Sequence, residues 1–262
     1  MSREAPQFEV GLARSEAELH AAQRLRYEVF VAELGGGGPM VDHDARLERD
    51  RFDPFFEHLI LRDLTRPEGA QVVGVYRLLD EAGATRAGQF YSEDEYDLAP
   101  LRRSGRRLLE LGRSCLHRDY RGGGGAMHVM WSALADHISA RGIEILFGVA
   151  SLHGTDVQAL AQPLSLLHYR HLSPPGLRVR ARPPGAAAMD LIPEEQLDRR
   201  AAMLTVPALI KAYLRLGGCV GDGAFVDRDF NTTDVCLVLD MARVDPARRA
   251  FYQRGSDKRS AG

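Results

Sequence analysis

Residues 7–13 (QFEVGLA) alternate between apolar and polar positions, the period of a strand with one buried face. The period then lengthens: Leu19, Ala22, Leu25, Val29 and Ala32 recur at helical spacing, with Ser15-Glu-Ala-Glu18 as a capping box in front. Together they predict a helix from Ser15 to about Glu33, ended by Gly35 to Gly38. Residues 39–54 are polar and predict a loop. The runs 57–64 (EHLILRDL) and 71–80 (QVVGVYRLLD) predict strands joined by a turn at Arg66-Pro67-Glu68-Gly69. Residues 91–104 turn from acidic to basic and predict a short irregular helix, and 106–117 (RRLLELGRSCLH) another strand.

Beyond the glycine run 122–125 a helix is expected as far as Gly142, then a buried strand over 143–150 (IEILFGVA) and helix over 155–172 despite Pro163. The segment Leu172–Pro193 is rich in Pro, Gly and Arg, with short strands expected near 177–182 and 188–192. Pro207 suits the first turn of a helix over 207–216, and 234–241 (DVCLVLDM) closes the pattern as a strand. The order β, α, β, β, β, α, β, α, β is that of an α+β fold. One domain is expected, with its core over about 7–200, a C-terminal extension over about 201–245 and a disordered tail over 254–262.

Composition narrows the function. At 262 residues and 45% apolar, the chain can bury a core without staples. A net charge of -2 provides no global field for nucleic acid. The three cysteines, Cys115, Cys219 and Cys236, have no C-x-x-C spacing, which argues against a disulfide framework or zinc site and suits a reducing, cytoplasmic setting. No metal is expected. The first ten residues do not read as a signal peptide, and no apolar run reaches the roughly 18 residues of a bilayer span. Peripheral contact with the inner face of a membrane is the most that is expected.

Candidate chemistry starts at Arg121-Gly-Gly-Gly-Gly-Ala126, between an expected strand and an expected helix. Glycines let the backbone approach an anion, and the N–H groups at a helix start point towards it. The run fits [Q/R]-x-x-G-x-[G/A] through Arg121, Gly124 and Ala126, and resembles the loop of the GNAT acetyltransferases. That resemblance implies a mixed, mostly antiparallel sheet flanked by helices. It also implies that Arg121, Gly122, Gly124 and Ala126 hold the diphosphate of coenzyme A or the phosphate of carrier-bound phosphopantetheine.

A second constellation lies upstream. Arg26 and Phe30 are four apart; Glu48, Asp50 and Asp53 crowd one loop; Arg77 interrupts an apolar strand; Glu110 and Arg113 precede the glycine run. In this order they resemble R-x-x-x-F, E-x-D-x-x-D, a strand arginine before two leucines, and E-x-x-R of the acyl-homoserine-lactone synthases, GNAT-like enzymes that take acyl chains from acyl carrier protein. The longer C-terminal part, 207–241 (PALIKAYLRLGGCVGDGAFVDRDFNTTDVCLVLDM), resembles the end of the ornithine-lipid N-acyltransferases. The resemblance implies transfer of a 3-hydroxyacyl group from acyl carrier protein to the α-amine of ornithine, giving lyso-ornithine lipid. The donor is then the acyl-phosphopantetheine of the carrier, and no tightly bound cofactor is expected.

On this reading Glu110 is the expected general base, with Arg113 orienting it or binding the acceptor carboxylate. Backbone N–H groups of the same strand hold the thioester carbonyl. Glu48, Asp50 and Asp53 either attract a cationic acceptor or lock Arg26 and Arg77. Asp229, Asn231 and Asp234 are expected to bind substrate or to serve as turn and cap residues. Arg102, Arg103, Arg106 and Arg107, with Arg178, Arg180 and Arg182, are expected to be solvated surface or, alternatively, to dock an acidic carrier. The other readings are a lactone synthase, acylation of another amino acid such as glutamine, and a non-enzymatic acyl-carrier-binding domain. His58 and Asp63 match H-x-x-x-x-D of glycerolipid acyltransferases but, five apart on a strand, point to opposite faces, so that reading is set aside.

Overall fold

Strand β1 (Phe8–Leu12) leads into α1 (Glu16–Arg26), whose cap forms largely as expected: Ser15 Oγ accepts from the N–H of Glu18, and the Glu18 carboxylate reaches back to the N–H of Arg14. The structure is a computed structural model that describes residues 5–122 and 125–245. The expected long helix changes character at its middle. Tyr27–Glu33 is a π-helix, so each turn takes in extra residues and the 3.6-residue spacing no longer selects the buried face. Ala22, Leu25 and Val29 are buried, whereas Ala32 is exposed.

Strands β2 (Glu57–Asp63) and β3 (Val72–Asp80) form the expected hairpin, with Gly69 at φ +82° in its turn. Helix α2 (Glu81–Ala87) has no clear sequence signal. The helix expected over 91–104 divides into a 3-10 turn at Tyr91–Asp94, strand β4 (Tyr96–Asp97) and α3 (Ala99–Arg103). Then come β5 (Leu108–Leu116), a 3-10 turn at Arg118–Tyr120, α4 (Gly125–Arg141) and β6 (Ile145–His153). Helix α5 (Ala161–His171) starts late enough to place Pro163 in its first turn, where a missing N–H costs little. The short strands β7 (Arg180–Ala181) and β8 (Ala186–Ala187) follow, the latter ending short of the expected 188–192. Helices α6 (Arg199–Thr205) and α7 (Ala208–Arg215, with Pro207 as its N-cap) precede β9 (Cys219–Val220), β10 (Ala224–Asp227) and β11 (Thr232–Asp240).

The described residues divide into two compact units, one running to Gly83 and including Leu111–Gly142, the other formed by Ala84–Glu110 and Ile143–Asp245. In the first, sheet order is β1-β2-β3-β5, with α1 packed on β3 and α4 on β1 and β2. Ala22, Leu25, Val29, Ile60, Val75 and Cys115 form a core cluster there. Gly74 allows that close packing: a Cβ on it would lie 2.8 Å from Leu116 Cδ2 and 3.1 Å from Leu61 Cβ. In the second unit the order is β5-β6-β11-β10-β8; β9 also pairs with β11, and β4 pairs with β7. Phe90 and Phe147 meet edge to face there at 5.0 Å. The first part of β5 runs parallel to β6 over Leu108–Glu110, while β6 and β11 are antiparallel along their length. The fold is α+β, a mixed, mostly antiparallel sheet flanked by helices. The tail after 254 lies outside the described residues.

Candidate active site

In the first unit the upstream constellation closes into one buried ion network. Arg26 pairs through Nε with Glu48 and through Nη1 with Asp53 Oδ1 at 2.8 Å. Arg77 Nη1 lies 2.7 Å from both Asp50 Oδ2 and Asp53 Oδ1. Arg113 Nε meets Glu48 Oε1 at 3.1 Å, and its Nη2 lies 3.5 Å from Asp50 Oδ2. The Arg26 and Arg77 side chains are both 0% exposed. Three guanidinium groups thus interleave with three carboxylates. Burial is the largest influence on Glu48 and opposes its charge, but Arg113, Arg26 and Arg77 outweigh it and hold the carboxyl at about 2. Burial likewise opposes ionisation of Asp53, and Arg26 and Arg77 hold it well below the usual range. This geometry supports the locking role for the trio, and Asp50, at 20% side-chain exposure, is its most accessible member.

Two further residues support the network. Gln23, three before Arg26 on the same helical face, donates from Nε2 to Asp53 Oδ2 at 2.8 Å; that spacing was a readable signal. His58 Nε2 is 3.2 Å from the carbonyl of Asp53, and burial, foremost, holds its imidazole down at about 4. Phe30 lies in the π-helix with the Arg113 guanidinium 5.9 Å from its ring, and Arg77 stacks on Phe56 at 4.3 Å.

Strand β5 carries the expected catalytic pair. Among the described residues its parallel register with β6 ends at Glu110↔Phe147, and Arg113 then adopts φ +49°, a left-handed conformation that is rare within a strand. A Cβ on Gly112 would lie 3.9 Å from Arg77 Nε and Nη2, so the guanidinium rests against bare backbone. The Arg113 contacts described above go to Glu48 and Asp50. Glu110 is 1% exposed, and both its oxygens accept hydrogen bonds: Oε2 from Tyr91 N at 2.7 Å, and Oε1 from Ser92 N at 2.6 Å and from the Ser92 hydroxyl. A general base needs an oxygen ready for the incoming proton. Both oxygens of this carboxylate hold the Tyr91–Ser92 segment, a partnership that no sequence spacing announces.

The glycine junction forms between a strand and a helix, as expected. Arg121 Nε donates to the carbonyl of Leu116 at 2.8 Å, its Nη1 pairs with Glu33 at 2.8 Å, and 43% of the side chain stays exposed. Gly122 takes φ +90°, and Ala126 is buried in the first turn of α4. Gly124 lies outside the described residues.

The C-terminal candidates separate, all within the second unit. Asp229 and Asn231 are exposed in the β10–β11 turn, where Asp227 Oδ1 accepts from the N–H groups of Asp229 and Phe230, and Asn231 takes φ +52°. Those two show turn chemistry. Asp234 is buried, and its carboxylate clusters with Glu95 and Asp227, one oxygen from each lying within 4.8 Å of the others. Sequence spacing does not connect Glu95 with that cluster.

Over 249 residues the chain is 60% identical to the L-ornithine N(alpha)-acyltransferase of Rhodobacter capsulatus, covering 94% of this chain and 95% of that one. The chain belongs to the L-ornithine N(alpha)-acyltransferase family. The family member from Brucella abortus is 40% identical over 249 residues, with 94% and 88% covered. Residues 25–132 match the acetyltransferase (GNAT) domain family, a stretch that contains the ion network, Glu110, Arg113 and the glycine junction. The CoA-dependent acyl-homoserine lactone synthase BjaI, with SAM and isopentyl-CoA, aligns at a TM-score of 0.51 and 13% identity, covering 96% of this chain and 89% of that one, a likeness of fold. The chain is therefore an acyltransferase of GNAT-like fold. No helix among its described residues is long and apolar enough to cross a membrane.

Proposed function

We propose that this family member acylates the α-amine of ornithine with a 3-hydroxyacyl chain carried on the phosphopantetheine of acyl carrier protein, releasing lyso-ornithine lipid. The observation that carries the acceptor is the 60% identity over 94% of the chain to an L-ornithine N(alpha)-acyltransferase. The strand–glycine–helix junction supports a pantetheine donor: Arg121, Gly122 and Ala126 would present N–H groups and one cation to its phosphate.

A thioester is already activated, so no enzyme nucleophile is needed. The amine nitrogen attacks the thioester carbonyl carbon and the C–N bond forms. The tetrahedral oxyanion collapses, the C–S bond breaks, and the proton shed by the amine balances the one gained by the departing thiolate. A peptide α-amine titrates at roughly 7.7–8 and that of a free amino acid, beside its own carboxylate, higher, so the amine has to shed a proton before it attacks. Glu110 then acts as a positioning residue that fixes Tyr91 and Ser92. The β5 backbone near Arg113, with its left-handed residue, would face the oxyanion. Peripheral membrane contact would serve release of an amphiphilic product.

The test is incubation with 3-hydroxyacyl carrier protein and, separately, ornithine, glutamine or S-adenosylmethionine, with products identified by mass. Lyso-ornithine lipid is the expected product. Turnover confined to glutamine, or a lactone from S-adenosylmethionine, would overturn the reading.

A further inference from the structure

We propose that Tyr120 and Asp63 form a positioning pair that sets the carrier-phosphate site; this rests on the reading that the phosphate binds at Arg121, Gly122 and Ala126. Tyr120 is the last residue of the 3-10 turn Arg118–Tyr120, immediately before Arg121. Its hydroxyl donates to the carboxylate of Asp63, the last residue of β2. That acceptor is well anchored before the phenol reaches it. Asp63 Oδ1 accepts from Gln7 N at 3.1 Å, Thr65 N at 3.1 Å and Thr65 Oγ1 at 2.8 Å, and the residue is buried. Around the phenol ring, Phe8 lies 5.9 Å away and His117 6.0 Å. Packing holds the body of Tyr120, and a charged acceptor fixes its tip.

The leverage is short. Tyr120 N bonds to His117 O at 2.9 Å and Arg121 N to Arg118 O at 3.2 Å, so the backbone of Arg121 takes its position from the turn that Tyr120 completes. Gly122 follows with φ +90° and nothing within 4 Å of where a Cβ would stand, so no side chain of its own holds it. Strand β2 thus carries two buried polar anchors: His58 at the carbonyl of Asp53 in the ion network, and Asp63 at the turn before the glycine junction. The H-x-x-x-x-D spacing acquires a role as scaffold chemistry, and its side chains need not meet.

The experiment compares steady-state kinetics of the full chain carrying Tyr120→Phe, Asp63→Asn, both together, and Arg121→Ala, with melting temperature measured for each. Tyr120→Phe keeps the ring and removes only the hydroxyl. Loss of one hydrogen bond to a charged group corresponds to about a tenfold to hundredfold change. The expected result is that rise in KM for acyl carrier protein, with kcat and the KM for ornithine unchanged. The double variant should be no worse than the poorer single one, because both act on the same bond. A lower melting temperature with every kinetic constant unchanged for Tyr120→Phe, while Arg121→Ala does raise the carrier KM, overturns the inference and leaves the donor reading standing. If Arg121→Ala also leaves the carrier KM unchanged, the donor reading falls and the inference falls with it.

Discussion

Arg77 shows how far residue type alone can be read. An arginine within VVGVYRLL is an anomaly that demands a partner, and the acidic loop with Glu48, Asp50 and Asp53 is where the sequence offers one. The geometry supplies what sequence could not: one nitrogen shared between Asp50 and Asp53, with the guanidinium plane on Phe56. Arg77→Met should destabilise the fold by ~3–5 kcal/mol, because it strands buried carboxylates, and urea unfolding measures this directly. Acid should act on the same network. The Glu48 carboxyl sits at about 2 when folded against 4.5 when free, so its pairs contribute fully above the free value and are lost as pH falls through the folded one. His58 is held neutral by burial, foremost, and by Arg26 and Arg77 against the pull of Asp53. Its folded value of about 4 against 6.5 when free makes acidification through that interval favour the unfolded chain. Stability should therefore decline from near pH 6.5 and continue to decline below 4.5. His58→Asn should flatten the first stage, and a wild-type unfolding midpoint that stays constant there would refute it. Glu110→Gln tests position against base chemistry. It faces an amide donor towards donors already present, so kcat should fall about tenfold or more while the acid limb of its pH profile stays where it was. Loss of that limb would restore Glu110 as the base.

At the scale of elements, periodicity identified α1, β2, β3, β5, α4, β6 and β11 because each has a long, regular run of buried positions. It failed where pieces are short or irregular. The π-helix breaks a 3.6-residue reading at Tyr27, and β8 to β10 are held by register within the sheet, with little propensity of their own; β7 falls inside the expected 177–182 but pairs with β4. The glycine junction was legible because turn chemistry is local. The left-handed backbone at Arg113 was not, since such an arginine carries no sequence signature. Seating of α4 on the sheet makes its own prediction. Gly74→Val would put carbon where Leu116 and Leu61 already stand, with Met130 Sδ 3.5 Å away. A loss of about 1–3 kcal/mol is expected in thermal or urea unfolding, without a selective change in either substrate KM once the protein is folded.

At the scale of the whole molecule, a net charge of -2 conceals clustered arginines. Several of them are engaged internally: Arg102 with Glu93, Arg106 with Asp240, and Arg180 with Asp222. Arg103 remains exposed beside them. If this surface docks an acidic carrier, Arg103→Glu should raise the carrier KM severalfold at low salt and reduce its salt dependence, with ornithine kinetics unchanged; equal salt slopes for wild type and variant would rule that surface out.

By itself the sequence determined the chemical classes: an α+β chain, a glycine-rich strand-to-helix junction after β5, and a set of arginines and carboxylates whose order matches a family of acyltransferases. These follow from local rules, because backbone freedom, periodicity and charge are properties of residues and their near neighbours. Only the tertiary structure decided which charges are spent on one another. Whether Glu110 receives a proton or holds Tyr91 and Ser92, and whether Asp53 meets a substrate or Arg26, depends on burial and on partners far away in the chain. An ionised group's role is set by the dielectric around it and the charge opposite it, and folding alone brings those together.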